Sequence, residues 1–366
     1  MFYDVAVVGA GVFGAWTAYK LRQAGASVLL LDAYGPANSR ASSGGESRMI
    51  RMGYGPDEIY SRMAQRSLVL WQELFGERYP LFVKTGILWL ARERDPYCEA
   101  TVATLGRLGV KHERLDHDEI ARRYPQITLG AATWGIVEPD SGVLLARRAV
   151  QAVVAEACAI GVDYRQVAIA PPIVNDVANR YVFACGPWLP KLFPELLGER
   201  IYVTRQEVIF FGVPPGDDSF NVGVMPCWID FNDLVYALPN LEGRGVKIAI
   251  DAHGPEFDPD SGQRIVTESG FDAVREYLRQ RVPSLARAPV TETRVCQYEN
   301  TSNGDFLIDR HPEFENVWLV GGGSGHGFKH GPAVGEYVAA MLSGNGTPEP
   351  RFSLATKEKV QERKVF

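Results

Sequence analysis

The chain has 366 residues, enough for one large or two medium domains around a substantial core. Hydrophobic residues make up 46% and charged residues 22%, and the formal net charge of −6 argues against nucleic acid or an anionic membrane as partner. No apolar run approaches the roughly 20 residues of a membrane span, and the start lacks a signal-like segment. The five cysteines are few and scattered, without a C-x-x-C pair or metal-ligand spacing, so a cytoplasmic protein with no metal site is expected.

In chain order, "YDVAVVGAGVFGAWTAYKLRQAGASVLLLDA" reads as strand, glycine turn, helix and strand. Val5, Val7 and Val8 form a buried-strand run, residues 13–24 are rich in helix formers, Gly25 stops the helix, and "SVLLLD" is a second buried strand. The turn "GAGVFG" carries Gly9, Gly11 and Gly14 in G-x-G-x-x-G spacing, followed by Val12 and Phe13 in the helix start and by Asp32 at the next strand's end. In that context the glycines let the backbone approach a pyrophosphate, the helix N-terminus faces its charge, and the acid meets ribose hydroxyls.

No second crossover helix follows directly. A Ser- and Gly-rich loop comes next, "SSGGESRMIRMGYG", with Ser42, Ser43, Arg48 and Arg51, and then a helix with Ile59, Met63, Leu70, Trp71 and Leu74 roughly along one side. "TGILWLAR", "EVIFFGV" and "GVKIAIDA" read as strands of a different sheet, and "FDAVREYLRQRV" as a helix lying on it. In "GVKIAIDA" the alternation turns Val246, Ile248 and Ile250 one way, and Lys247, Ala249 and Asp251 the other. "NVWLVGGGSGHGFKHGPAVGEYVAAML" repeats strand, glycine turn and helix near the C-terminus, with Pro332 suited to the helix's first turn. A long cofactor whose far end meets this distant segment explains the second turn, which favours FAD over a nicotinamide dinucleotide. The expected fold class is α/β: a discontinuous Rossmann-like FAD-binding domain (1–80, 135–200 and 290–366) with an inserted α+β substrate domain on a mixed sheet (81–134 and 201–289).

Together with "TRQEVIFF", "GVKIA", "VCQYENTSNGDFLIDRHP" and "GGGSGHGFKHGP", these motifs lie in the order found in the monomeric sarcosine oxidase family. The sequence resembles these flavin amine oxidases from residue 3 to about residue 345. They fall within the D-amino-acid-oxidase-like group, which includes N-methyltryptophan and pipecolate oxidases. The resemblance implies that Cys296, in C-x-Y with Tyr298, carries FAD through a thioether to the flavin 8α carbon. It implies a substrate carboxylate clamped by Arg51 and Lys329, and Lys247 beside flavin N5 as the charge that activates O2. It also places Arg48 near the flavin ring as a second cation. Gly323, Gly325, His326, Gly327 and Phe328 join the cofactor site from the second glycine turn, Val167 meets adenine through its backbone, and Gly186 and Trp188 of "CGPWLP" lie near the cofactor. Tyr236 and Trp228 are candidates for the substrate pocket, and His253 is left without a role.

Three departures stand out. Asp251 and not histidine follows the lysine by four residues, which counts against sarcosine itself as substrate; the serine loop lacks the family's histidine; and "GVDYRQVAIA" is joined to "RYVFACG" by a short stretch where the family has a longer meander. The implied activity is oxidation of an amino acid or of a secondary (N-alkyl or cyclic) amine bearing a carboxylate. Hydride passes from Cα to flavin N5, and O2 is the acceptor, giving imine and H2O2 from a monomeric enzyme. A dehydrogenase that passes electrons to a quinone or carrier, and a non-catalytic flavin-binding protein, are the alternatives.

Overall fold

The structure is a computed structural model that describes residues 2–169 and 177–360. The connection "APPIVND" at 170–176, where the shortened meander is expected, lies outside the described residues.

One sheet has six strands, in the spatial order Leu307–Arg310, Val317–Gly321, Ala178–Phe183, Tyr3–Val8, Val28–Asp32 and Asp163–Gln166. Every pairing is parallel except that of the outermost strand, Leu307–Arg310, with its neighbour. Val5, Val7, Val28 and Leu30 face the helices Val12–Gln23, Ala146–Ala159 and Gly331–Leu342. Ala6, Val8, Leu29 and Leu31 are buried on the opposite face with Tyr181, Phe183 and Leu189. Coverage of both faces is why these strands read as unbroken apolar runs.

A second, mixed sheet of eight strands runs Val290–Thr301, Ile201–Phe211, Val246–Ile250, Val235–Leu238, Cys227–Asp230, Ile87–Ala91, Trp134–Glu138 and Glu113–Asp116. Helix Glu268–Arg281 covers one face, burying Val274, Tyr277 and Leu278 against Ile209, Phe211, Val246 and Ile248. The other face carries Val208, Phe210, Tyr236, Lys247 and Ala249. A small third sheet holds Arg48–Ile50, Gly142–Leu144 and Phe82–Val83.

Two strands cross the expected segment boundaries. Trp134–Glu138 and Val290–Thr301 are hydrogen-bonded into the eight-stranded sheet, although 135–200 and 290–366 were expected on the cofactor side. Strand alternation is visible in a sequence, but the partner a strand pairs with is not. The long strand Val290–Thr301 thereby places Cys296 in the eight-stranded sheet, opposite Gln206.

The helix Glu58–Phe75 buries Tyr60, Ser61, Ala64, Ser67, Leu70, Trp71 and Phe75, whereas Ile59, Met63 and Leu74 are only partly buried. The buried face therefore runs through Tyr60, Ala64, Trp71 and Phe75 and is rotated from the side on which Ile59, Met63 and Leu74 lie. The small Ser67 allows close approach of the terminal helix, and its hydroxyl accepts from Ala333 N at 3.3 Å. No helix among the described residues is long and apolar enough to cross a membrane.

Candidate active site

The first glycine turn shapes one wall of a cleft of about 300 Å³. Gly9 has φ +103°, and a Cβ there would collide with the Ala184 carbonyl; a Cβ on Gly14 would collide with the carbonyl of Gly9. The helix thus lies hard against the turn, while a Cβ at Gly11 would make only an ordinary contact with Ser43 Oγ, at 3.5 Å. Val12 N donates to Ser43 Oγ (3.1 Å), and the helix has no acidic residue in its first turn. Asp32 accepts from the amides of Ala10 (2.7 Å), Tyr34 (2.9 Å) and Gly35 (2.8 Å), which pins both flanking loops to the strand end.

Gly9, Gly11, Val12, Phe13, Asp32, Ser42, Ser43 and Arg48 all line this cleft. Val167, Gly186, Trp188, Cys296, Gly323, Gly325, Gly327 and Phe328 line it as well. Trp188 is oriented by its indole N–H, which donates to Asp260 at 2.7 Å. Gly14, His326 and Lys329 do not line it. Gly14 serves packing, and the 3-10 turn Gly327–His330 carries Lys329 away with His326 into a second cavity. The cleft also contains a residue that the motifs do not mark: Glu299, 7% exposed, whose Oε1 has no partner among the described residues.

The second cavity, about 100 Å³, lies on the open face of the eight-stranded sheet. It gathers Arg48, Arg51, Tyr236, Lys247, Asp251, His253, His326 and Lys329, and shares Arg48, Cys296, Tyr298, Gly325 and Phe328 with the first. Trp228 is not part of it. The neighbouring Ile229 points into the cavity, so the alternation turns Trp228 to the helix side, where its indole donates to Tyr277 OH at 3.1 Å.

At the junction, Arg48 donates to the carbonyls of Ser42 (2.7 Å) and Ser47 (2.8 Å), and its Nη2 lies 3.4 Å from Cys296 Sγ. Lys247 is 3% exposed, and its Nζ donates to Ser47 O at 2.8 Å. Burial, reinforced by the Arg48 charge, pushes its pKa down to about 7. Tyr298 donates to Asp251 Oδ1 at 2.6 Å, and burial, with the Asp251 charge, holds its phenol above the usual range.

At the other end lie two buried basic side chains. Arg51 is 9% exposed, with its guanidinium carbon 4.4 Å from the Tyr54 ring centre and 4.8 Å from that of Trp89, and it donates to Gly53 O. Lys329 donates to Tyr54 OH (2.7 Å) and His326 O (3.0 Å); burial, then the Arg51 charge, holds it well below the usual lysine range. Nearby Glu138, 1% exposed, accepts from Met52 N (2.7 Å), Gly53 N (3.1 Å), Trp89 Nε1 (2.8 Å) and Ser141 Oγ (2.7 Å). Its oxygens are thus committed to orienting the loop that carries Arg51. Tyr54 and Glu138 were not singled out from the sequence. An acid inside the apolar strand "WGIVE" was a usable signal for Glu138, but nothing in "RMGYG" marks Tyr54 as the partner of a lysine near the C-terminus.

Similarity to known proteins agrees with this geometry. The model of the family described as FAD dependent oxidoreductase matches residues 4–341. The chain belongs to that family. It is 32% identical to the peroxisomal sarcosine oxidase of Mus musculus, over 92% of this chain and 91% of that one. It is 31% identical to the monomeric sarcosine oxidase of Bacillus sp. (strain B-0618), over 99% of both. An N-methyl-L-tryptophan oxidase of Salmonella arizonae is 29% identical over 95% of this chain and 96% of its own. The fold is shared with the L-proline dehydrogenase from P. horikoshii (TM-score 0.83, 19% identity, 96% and 97% of the two chains). It is also shared with NikD, described as an unusual amino acid oxidase (TM-score 0.77, 23% identity, 96% and 97%). The discontinuous Rossmann-like fold with a mixed second sheet, and the family membership, are therefore as the sequence predicted. An FAD-dependent oxidoreductase needs a dinucleotide cleft, and the one here suits it: a helix start without an acid of its own, and the backbone of Gly9 and Gly11 lining the cleft beside it.

Proposed function

We propose that the protein is an FAD-dependent oxidase of an amino acid, or of a secondary amine bearing a carboxylate, producing an imine and hydrogen peroxide. The observation that carries this reading is the pair of buried basic side chains, Arg51 and Lys329, set around one tyrosine ring at 4.4 Å and 5.2 Å. Two like charges out of water repel each other, and Glu138 is occupied by four donors. A ligand carboxylate relieves that repulsion, and Arg51 has the planar fork to hold it through two hydrogen bonds. The names of the curated relatives, sarcosine and N-methyl-L-tryptophan oxidases, support an amine at the other end of the ligand.

In this reading FAD supplies the hydride acceptor, held by Gly9, Gly11, Val12, Ser43 and Asp32 at one end and by Arg48, Gly325 and Phe328 at the other. Arg51 and Lys329 fix the carboxylate, which places Cα at the junction of the two cavities and makes the transfer effectively intramolecular. Tyr236 walls the pocket, and Asp251 meets the amine end. Lys247 provides the positive charge for oxygen. Cys296, beside the Arg48 guanidinium at 3.4 Å, would hold the cofactor through a thioether to its 8α carbon, the thiol and that carbon each giving up a hydrogen, the flavin taking the two electrons and passing them on to O2. The named monomeric relative and the five free cysteines support a monomer in the cytoplasm acting on small molecules.

The decisive experiment is an amino-acid and N-alkyl-amino-acid screen under air with peroxide detection, alongside anaerobic bleaching of the flavin. Peroxide formed with a carboxylate-bearing amine supports the reading. Anaerobic bleaching without peroxide assigns electron transfer to another acceptor. For the anchor, acid precipitation should leave the yellow colour in the wild-type pellet and release it from Cys296→Ser. Free flavin from the wild type would show a non-covalent cofactor.

Tyr54→Phe removes one of the two acceptors of the Lys329 ammonium and keeps the ring under Arg51. Affinity for a simple carboxylate such as benzoate, followed by the flavin spectrum, should fall about tenfold. An unchanged affinity would show that the hydroxyl does not hold Lys329 for the ligand.

A further inference from the structure

The strands Cys227–Asp230 and Val235–Leu238 form a hairpin, and two residues of the turn that joins them, Phe231 and Leu234, line the second cavity. With Met49, Ile229 and Val235 they make an apolar wall in a cavity that also holds Arg51, Lys329 and Asp251. Connecting turns ordinarily move more than the strands they join. This one is tied down at each of its residues. Phe231 lies flat on Tyr97, with ring centres 4.5 Å apart and planes 7° from parallel. Asn232 Nδ2 donates to Asp95 Oδ2 at 2.9 Å, while Asp95 Oδ1 caps the helix Pro96–Arg107 by accepting from Cys98 N at 3.0 Å. Asp233 Oδ2 accepts from Arg281 Nη2 (2.6 Å) and Nε (3.1 Å), and its Oδ1 accepts from Arg92 Nη2 at 3.1 Å. Leu234 is held at φ +55°, a left-handed conformation uncommon for a residue with a side chain. Such a conformation persists where the surroundings over-determine it, and it recurs at ligand clamps. The Leu234 carbonyl accepts from Asp251 N at 2.6 Å, so the turn and the strand end that carries Asp251 form one unit.

The cavity, at about 100 Å³, is well below the roughly 300–1,000 Å³ of pockets that take drug-sized ligands. The basic pair and Asp251 take the ligand's carboxylate and amine, which leaves its substituents to the apolar wall. We propose that the turn Phe231–Leu234 is a rigid selectivity wall: it admits short apolar substituents on Cα and nitrogen, excludes groups of indole size, and sets that limit through Phe231 and Leu234. The limit is steric, because the turn swings aside only by breaking the Arg281 pair and the Tyr97 stack. Displacing Leu234 also disturbs the Asp251 amide, so a bulky substituent loses the amine contact along with the fit. This rests on the reading of the cavity as the site of a carboxylate-bearing amine.

The test uses the flavin-loaded full chain. It compares N-methylalanine with N-methyltryptophan, both enantiomers of each, by the rate of anaerobic flavin reduction at low substrate. It compares benzoate with 2-naphthoate by the change each makes in the flavin spectrum. The wild type is expected to favour N-methylalanine by about 10²-fold or more, and benzoate by about tenfold. Phe231→Ala should raise the ratio of bulky to small ligand about tenfold in both comparisons. Leu234→Gly should raise it in the same direction, and glycine adopts φ +55° without strain, which protects the fold. Each ratio compares two ligands on one protein, so a loss of stability or of flavin alone does not move it. A wild type that accepts N-methyltryptophan as readily as N-methylalanine overturns the proposal, and so do ratios within about threefold of wild type in both variants. If no amine bleaches the flavin and neither carboxylate alters its spectrum, the oxidase reading falls together with this one. Bleaching by N-methylalanine with ratios unmoved in both variants overturns the selectivity wall alone.

Discussion

Lys247→Met is expected to slow the reaction of the reduced enzyme with oxygen by about 10²–10³-fold, while anaerobic reduction by the amine changes little. The reason is that the Nζ is buried, fixed by Ser47 O at 2.8 Å, and placed at the wall shared with Arg48 and Cys296. A positive charge fixed there in advance stabilises charge that develops on oxygen without waiting for water to reorganise, and methionine keeps the stem while removing the charge. Stopped-flow measurement of the two half-reactions separates the possibilities. An unchanged oxygen step removes Lys247 from this role, and equal slowing of both steps makes it structural. The pH dependence has a definite sign. Because Lys247 is pushed down to about 7, its cationic fraction falls as pH rises past that value, and the negative charge that FAD brings moves the midpoint upward. The wild-type oxygen step should therefore slow with rising pH, and the methionine variant should lose that dependence.

Arg51→Ala is expected to raise KM for a carboxylate substrate by about 10²-fold, roughly 3 kcal/mol, because one partner of a desolvated charge pair is removed. Arg51→Lys keeps the charge and loses the planar fork, so it should recover only part of that loss. Removing Arg51 also takes away a repulsive neighbour of Lys329, so the Lys329 pKa should rise towards its ordinary value, and carboxylate binding should persist to higher pH than in the wild type. A KM that does not move in Arg51→Ala, in protein with a normal flavin spectrum, refutes the clamp.

The features legible without coordinates were those carried by local periodicity and by steric demands within a few residues. The turn at Gly9–Gly14 had to be glycine, because a side chain at Gly9 or Gly14 meets backbone. Unbroken apolar strands announced a sheet covered on both faces, and the period of two turned Lys247 away from the helix that covers Val246 and Ile248. What needed tertiary structure was every relation set by chain closure. The pairing of Val290–Thr301 with Ile201–Phe211 decides that Cys296 belongs to the second sheet and reaches the cleft from there. Tyr54 joins Arg51 to Lys329, Glu138 anchors the loop beside them, and Glu299 is buried at the wall of the cleft. None of these follows from spacing. A residue's burial and its charge state depend on what distant segments pack around it, and those environments, more than residue identity, set the chemistry of the site.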